Sequence, residues 1–420
     1  MKANLNNCYD VAVIGGGSAG LAAALKAKEN GSSVVLFERD ERLGGILNQC
    51  IHNGFGLKYF KEELTGPEYA SRFVDLVKKS KITTHTNTTV TEIKEENGLF
   101  VVKTLSTKGL EKTVVKSIVF AMGCRERSAG AITLAGTRPA GLITAGCAQK
   151  LINIYGKMVG TKVVIVGSGD IGLIMARRHH FEGATVLGVY EIMKHPSGLK
   201  RNIAQCLTDY NIPLHLSKTV VEVVGCDRVE GVYVAPVNDD FTYDLEHKEF
   251  IPCDTVVLSV GLTPENNMLH DLGIEIDKVT GGAVVDESLQ TSKKGIFSCG
   301  NVLHVHDIVD NVTMEAEIAG KNASLYAKGE LNLKRPVEVS NGVGVRYVMP
   351  RKIYKGKGIT SISFRVGKIF ENARVVVKCG ETEILNKERR IMLPAEMETI
   401  VIDKSRVEGD IQVLIEEGGK

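Results

Sequence analysis

An α/β chain built from two copies of one strand–glycine turn–helix–strand unit, followed by a small all-β tail, is the fold this sequence predicts. Three observations carry that prediction. Residues 10–38 (DVAVIGGGSAGLAAALKAKENGSSVVLFE) and residues 162–191 (KVVIVGSGDIGLIMARRHHFEGATVLGVYE) repeat one pattern, and from Val337 to Glu417 helical spacing gives way to short apolar runs. A length of 420 residues leaves room for two or three domains.

In the first unit Val11, Val13 and Ile14 read as a buried strand, Leu21, Ala24, Leu25 and Lys28 fall at helical spacing, and Val34 to Phe37 read as the next strand. Gly15, Gly17 and Gly20 occupy the glycine places of G-x-G-x-x-G, with Ser18 and Ala19 between the last two. The first glycine suits a tight turn, the second lets backbone approach a pyrophosphate, and the third lets the helix pack closely on the strand. Glu38, followed by Arg39, ends the second strand, where a carboxylate accepts hydrogen bonds from a ribose. Because strand, helix and acidic residue are in register with the glycines, the motif is specific.

The second unit has Gly167, Gly169 and Gly172, with Asp170 and Ile171 inside the motif and Glu191 at the strand end. Each unit is followed by an apolar strand ending on a glycine: SIVFAMG with Ala121 and Gly123, and TVVLSVG with Gly261. Two Rossmann-like dinucleotide-binding domains are therefore expected, with electrons passing between two dinucleotides.

Composition excludes several alternatives. A net charge of +2, no tryptophan and 5% aromatic residues offer neither a basic field nor a stacking surface, so no nucleic-acid partner is expected. The opening MKANLNNCYDVAVIGGGSAG runs at once into a strand and leaves no room for a signal peptide, and no apolar stretch reaches 18 residues. The expected location is cytoplasmic; peripheral membrane contact is left open. The nine cysteines include no C-x-x-C pair, which argues against a zinc site and for free or buried thiols.

With both glycine motifs in place, the chain resembles the two-dinucleotide-binding-domain flavoproteins, the pyridine nucleotide-disulfide oxidoreductase superfamily, over about residues 8–330. The resemblance implies that the first motif holds FAD and the second NAD(P)H, with hydride passing from nicotinamide C4 to flavin N5. It also implies that TSKKGIFSCGN, ending in Gly300 and Asn301, returns to the FAD domain; Asn301 stands where the family has an acid, and an amide can still donate and accept. Disulfide-reducing members carry C-x-x-x-x-C after the first acidic residue or C-x-x-C in the NAD domain, and this chain has neither. The corresponding stretch, LGGILNQCIHNGFG, keeps Gly44 and Gly45 and a single cysteine, Cys50. Some family members use one such cysteine as a redox centre beside the flavin; the other reading of Cys50 is a lining residue. His52 reads either as a proton donor near the flavin or as a packed histidine.

CIHNGFGLKYFKEELTGPEYA, CGNVLHVHDIVDNVTMEAEIAGKNA and the β-rich tail are similar to a narrower group, the FAD- and NAD-dependent oxidoreductases that accompany bacterial glycerol-3-phosphate dehydrogenase. They also resemble the flavin subunits of amino-acid and opine dehydrogenase complexes.

Chain order suggests an FAD domain of residues 1–150 and 285–333, an NAD domain at 151–284, and a β domain at 335–420. In the tail, Val343 to Val348, Ile359 to Val366, Val375 to Cys379, Ile400 to Ile402 and Ile411 to Ile415 read as strands of a sandwich. The tail has no histidine, which suits docking a partner dehydrogenase subunit or building a homo-oligomer more than chemistry. Glu191 favours NAD over NADP, although Lys194, His195, Lys200 and Arg201 follow it. HVHD at 304–307 has the look of metal ligands but reads better as alternation on a strand or loop near the FAD pyrophosphate, so no metal is expected. Three functions are therefore in view: an NAD-linked flavoenzyme exchanging electrons with a partner dehydrogenase, a self-contained NADH oxidase or peroxidase using Cys50, and a non-catalytic flavin-binding subunit.

Overall fold

The computed structural model describes residues 8–417, so the first and last few residues of the expected FAD and β domains lie outside the described residues. The chain divides into two compact units, Met1–Cys124 with Pro264–Lys420, and Arg125–Thr263.

The core of the first unit is a seven-stranded sheet. Val34–Phe37, Gly109–Phe120 and, beyond the latter, Ile296–Ser298 flank Cys8–Ile14; Thr83–His85 closes one edge, and Leu99–Ser106 and Thr89–Glu96 form an antiparallel extension on the other. Cys8–Ile14 is parallel to both neighbours, with Ile14 level with Phe37 and Phe120. The strand ends that carry the glycine turn, Glu38 and Ala121 are thereby brought together. Ile296–Ser298 adds in parallel to Gly109–Phe120 at Ile118 to Phe120, which sets Gly300 and Asn301 beside the same ends.

Helix Ser18–Glu29 packs against helix Val309–Ala327 through small residues, Ala19, Ala23 and Ala27 against Ala316, Ala319, Gly320 and Ala323. The approach is close enough that a Cβ on Gly320 would lie 2.1 Å from the Ala23 carbonyl oxygen. Helix Gly66–Lys79 opens on a capping box in which Thr65 and Glu68 exchange side chain-to-backbone hydrogen bonds.

The C-terminal part of this unit is a sandwich with its own core of Val337, Val339, Ile362, Phe364, Val375, Val377, Val413 and their neighbours. One sheet runs Lys352–Tyr354, Pro336–Asn341, Ile411–Glu417, Phe370–Cys379, Thr382–Met392; the other runs Val345–Met349, Ile359–Val366, Glu398–Asp403. The expected strands are present. Pro336–Asn341, Lys352–Tyr354 and Thr382–Met392 were not expected; in the last, charged residues occupy most exposed positions and obscure the alternation.

The second unit carries a five-stranded, all-parallel sheet in the order Leu142–Thr144, Thr255–Leu258, Lys162–Val166, Thr185–Glu191, Leu214–Leu216. A four-stranded sheet of Ala135–Gly136, Lys218–Gly225, Val229–Pro236 and Glu249–Pro252 packs beside it. Residues 125–150 lie in this unit because two of their strands are paired there. The expected junctions at 150/151 and 284/285 thus fall further along the chain than the divisions at 124/125 and 263/264.

Candidate functional site

In the first unit the glycine turn is shaped by contacts that no side chain could share. Gly15 has φ +103°, and a Cβ there would lie 2.5 Å from the Ala121 carbonyl oxygen; a Cβ on Gly20 would lie 1.7 Å from that of Gly15. Gly17 is different: only the Gly45 Cα stands within 4 Å of its Cβ position, so space remains in front of it. Gly44 (φ +110°) donates its N–H to the Gly16 carbonyl, folding the 44–45 turn against the glycine loop. Helix Ser18–Glu29 has no side-chain cap on its leading N–H groups, among them those of Ser18 and Ala19.

Glu38 is buried and fixed: its carboxylate accepts the Gly16 N–H at 2.6 Å and the Asp40 N–H at 2.7 Å, while Arg39 beside it is exposed. Each carboxylate oxygen keeps a lone pair for a hydroxyl. Gly300 (φ +72°) packs on Ala19 and Val312, and Gly123 also has positive φ (+73°). Asn301 accepts the His306 N–H at 3.0 Å and turns its amide nitrogen toward the Cys124 sulfur at 3.7 Å.

The second unit repeats this geometry. Gly167 (φ +90°) lies under the Ser259 carbonyl, 2.2 Å from a Cβ position, as Gly15 lies under Ala121, and Gly172 approaches Ser259 and Gly167. Helix Asp170–Phe181 likewise lacks a side-chain cap. Glu191 is buried and accepts the Ser168 N–H at 2.9 Å, the Ser168 and Ser197 hydroxyls, and the Met193 N–H at 3.0 Å. Asp170 accepts the Leu199 N–H at 2.8 Å and the Asn202 amide at 2.7 Å. The segment after Glu191 is thereby tied back to the glycine motif, a role for Ser168, Ser197 and Asp170 that the motif alone did not reveal. Gly261 (φ +95°) accepts the Arg127 N–H at 3.0 Å, and Ile171 is half-buried on the first helical turn. Lys194 pairs with Asp239 at 2.7 Å; Lys200 and Arg201 are exposed, and His195 contacts the Pro196 carbonyl.

Cys50 is 5% exposed, and its thiol faces the Ile46 carbonyl at 3.3 Å. Burial pushes that thiol up to about 12. His52 directs Nδ1 at the Asn53 carbonyl, with its ring 5.0 Å from Phe55. All nine cysteines are free thiols in the structure.

Two buried acids on helix Val309–Ala327 escaped the sequence. Asp310 accepts backbone N–H groups of Gly56, Lys58 and Tyr59, fastening the 53–60 turn. An acid in the first turn of a helix was the available signal. Glu315 meets both His304 and His306, which the HVHD run alone could not show. Burial raises the Glu315 carboxyl, but the His306 and His304 rings outweigh this and hold it far below the usual carboxylate range.

Two uncapped helix N-termini, each behind a glycine cradle and a fixed acid, make a protein that binds two dinucleotides. Residues 9–323 match the pyridine nucleotide-disulphide oxidoreductase family, and the chain belongs to it. It is an enzyme, a flavin-dependent NAD(P)H oxidoreductase with FAD and NAD(P)H as cofactors. It is 22% identical to one of the subunits of opine oxidase from Agrobacterium tumefaciens (strain Ach5), over 95% of this chain and 82% of that protein. It is 26% identical to hydrogen cyanide synthase subunit HcnB of Pseudomonas protegens, over 63% of this chain and 58% of that protein. The thioredoxin reductase structure of T. acidophilum superposes with TM-score 0.63 at 24% identity, covering 77% of this chain and 99% of that one. Among the described residues no helix is long and apolar enough to cross a membrane.

Proposed function

We propose that this chain is the nicotinamide-linked flavin subunit of a dehydrogenase, taking FAD at Gly15–Gly20, Glu38, Gly44–Gly45, Ala121 and Gly300–Asn301, and NAD at Gly167–Gly172, Glu191 and Gly261. Flavin held there would supply two-electron redox chemistry between reduced nicotinamide and a second acceptor. The protein would position the ligands: the helix N-termini would take the pyrophosphates, Glu38 and Glu191 the riboses, and the glycines would admit the backbone approach. A carboxylate at Glu191 bonds a free 2′-hydroxyl and repels a 2′-phosphate, which favours NAD over NADP.

The observation that carries this reading is the pairing of two complete dinucleotide cradles with no dithiol. Burial pushes the Cys50 thiol up to about 12 and so disfavours a thiolate at neutral pH, which supports Cys50 as a lining residue over the peroxidase reading. His52, turned to a backbone carbonyl, is a packed residue in the same wall. Electrons leave for a partner: both relatives named above are parts of larger enzymes, and the resemblance to companions of glycerol-3-phosphate dehydrogenase suggests a partner of that type, docked through residues 335–420.

NADH-dependent dye reduction by Cys50→Ser tests the dithiol-free part of this reading. Turnover within about twofold of wild type is expected, and loss of a hundredfold or more with flavin retained returns Cys50 to the chemistry. Deletion of residues 335–420 tests the docking role; a complex with a partner dehydrogenase that survives the deletion contradicts it.

A further inference from the structure

The geometry points to a metal site beside the Gly300–Asn301 end of the first cradle, built from none of the cradle's own residues: we propose that Nε2 of His304, Nε2 of His306 and a carboxylate oxygen of Glu315 bind one divalent transition-metal ion. The three donor groups lie within 4.8 Å of one another. They are nearly closed to solvent, with side-chain exposures of 1% for His304, 3% for His306 and 10% for Glu315.

The three side chains turn their free ends toward one another. His306 Nδ1 lies 2.9 Å from the His304 carbonyl oxygen, so that nitrogen carries the hydrogen. His306 Nε2 then faces Glu315 Oε2 at 3.3 Å, an oxygen that also lies 2.8 Å from His304 Nε2. Two imidazoles and a carboxylate thus converge in a nearly closed space, a donor set that suits one metal ion. The outer atoms of the ligands are already held, as around bound metals. Glu315 Oε1 accepts the Gly300 N–H at 2.7 Å, His306 donates to backbone, and the Tyr347 hydroxyl stands 3.5 Å from His304 Nδ1.

At bond lengths of about 2.1 Å the 2.8 and 3.3 Å separations from Glu315 Oε2 subtend roughly 85° and 105°, between octahedral and tetrahedral angles. Two imidazoles and one carboxylate suit a borderline ion such as Zn²⁺ or Fe²⁺ rather than Ca²⁺ or Mg²⁺. The nearest guanidinium, Arg365, is neutralised by Asp307 and bonded to the Val305 carbonyl. The ion would brace the 300–307 segment against helix Val309–Ala327, holding Asn301 through the His306 N–H.

The test uses full-length flavoprotein prepared without a histidine tag or chelator, incubated with Zn²⁺, gel-filtered and assayed for metal by mass spectrometry. One equivalent per chain is expected. His306→Gln with flavin retained should hold less than a tenth of that, and Tyr347→Phe, which leaves all ligands in place, should weaken Zn²⁺ binding about tenfold. A wild-type protein that retains no stoichiometric Zn²⁺ overturns the proposal in favour of a protonated His306 paired with Glu315. So does a His306→Gln or Tyr347→Phe protein that binds as tightly as wild type; should His306→Gln not fold, the wild-type stoichiometry and Tyr347→Phe decide.

Discussion

Asp310 Oδ1 accepts the backbone N–H of Gly56 at 3.1 Å across 254 residues of sequence, joining the start of helix Val309–Ala327 to the turn that follows Cys50 and His52. The same carboxylate takes the Lys58 N–H at 2.7 Å and that of Tyr59 at 3.3 Å. Hydrogen bonds to a buried charge contribute about 1.5–3 kcal/mol each at most, and they are not additive. Asp310→Ala is therefore expected to destabilise the protein by about 2–4 kcal/mol in urea denaturation. A change below about 0.5 kcal/mol contradicts the clamp.

The two glycine motifs should respond separately. Gly20→Ala drives a methyl group into the Gly15 carbonyl and should yield protein that retains less than a tenth of its flavin on gel filtration. At Gly172 the nearest atoms are the Ser259 Cβ at 2.7 Å and the Gly167 carbonyl at 2.9 Å. Gly172→Ala should keep its flavin and raise the Kd for NADH about tenfold or more. Equal flavin loss in both variants would mean that the cradles do not divide the cofactors in this way.

Nucleotide choice rests on Glu191. Removing its charge while keeping an acceptor, as in Glu191→Gln, should raise the NADPH/NADH ratio of kcat/KM by about tenfold, or roughly 1.4 kcal/mol. An unchanged ratio would transfer recognition to Lys200 and Arg201.

Arg351, on the turn leading into strand Lys352–Tyr354, grips Asp277 through Nε at 3.1 Å and Nη2 at 2.7 Å. Burial alone raises the Asp277 carboxyl, but Arg351 and the Thr280 and Val279 N–H groups outweigh it and hold it below its usual value. A depressed folded pKa gives stability that is present above the unfolded value of about 3.9 and lost as pH falls through the folded one. Asp277→Asn should thus cost about 1–2 kcal/mol at pH 7 and progressively less below about pH 4. A cost that stays constant down to pH 3 contradicts the ion pair.

What the sequence disclosed was local. Gly15, Gly17, Gly20 and Glu38 announce themselves because turn, helix start and strand end are consecutive, and the repeat at Gly167 to Glu191 doubles the signal. Contacts between distant segments carry no such mark. Glu315 lies eleven residues beyond His304 on a helix whose small-residue face gives no hint of ligands. Ser197 closes on Glu191 from the loop in which the sequence shows chiefly the cations Lys194, His195, Lys200 and Arg201. Leu142–Thr144 joins the second unit's sheet by pairing with Thr255–Leu258, a partner that nothing within residues 125–150 reveals.

On the proposed function, this chain moves electrons between NAD and a bound flavin. An anaerobic absorbance titration of the purified yellow protein with NADH, then NADPH, tests it most directly. Bleaching of the flavin band near ~450 nm by one equivalent of NADH, with NADPH at least tenfold less effective, is the predicted result; a flavin that neither nucleotide bleaches contradicts it.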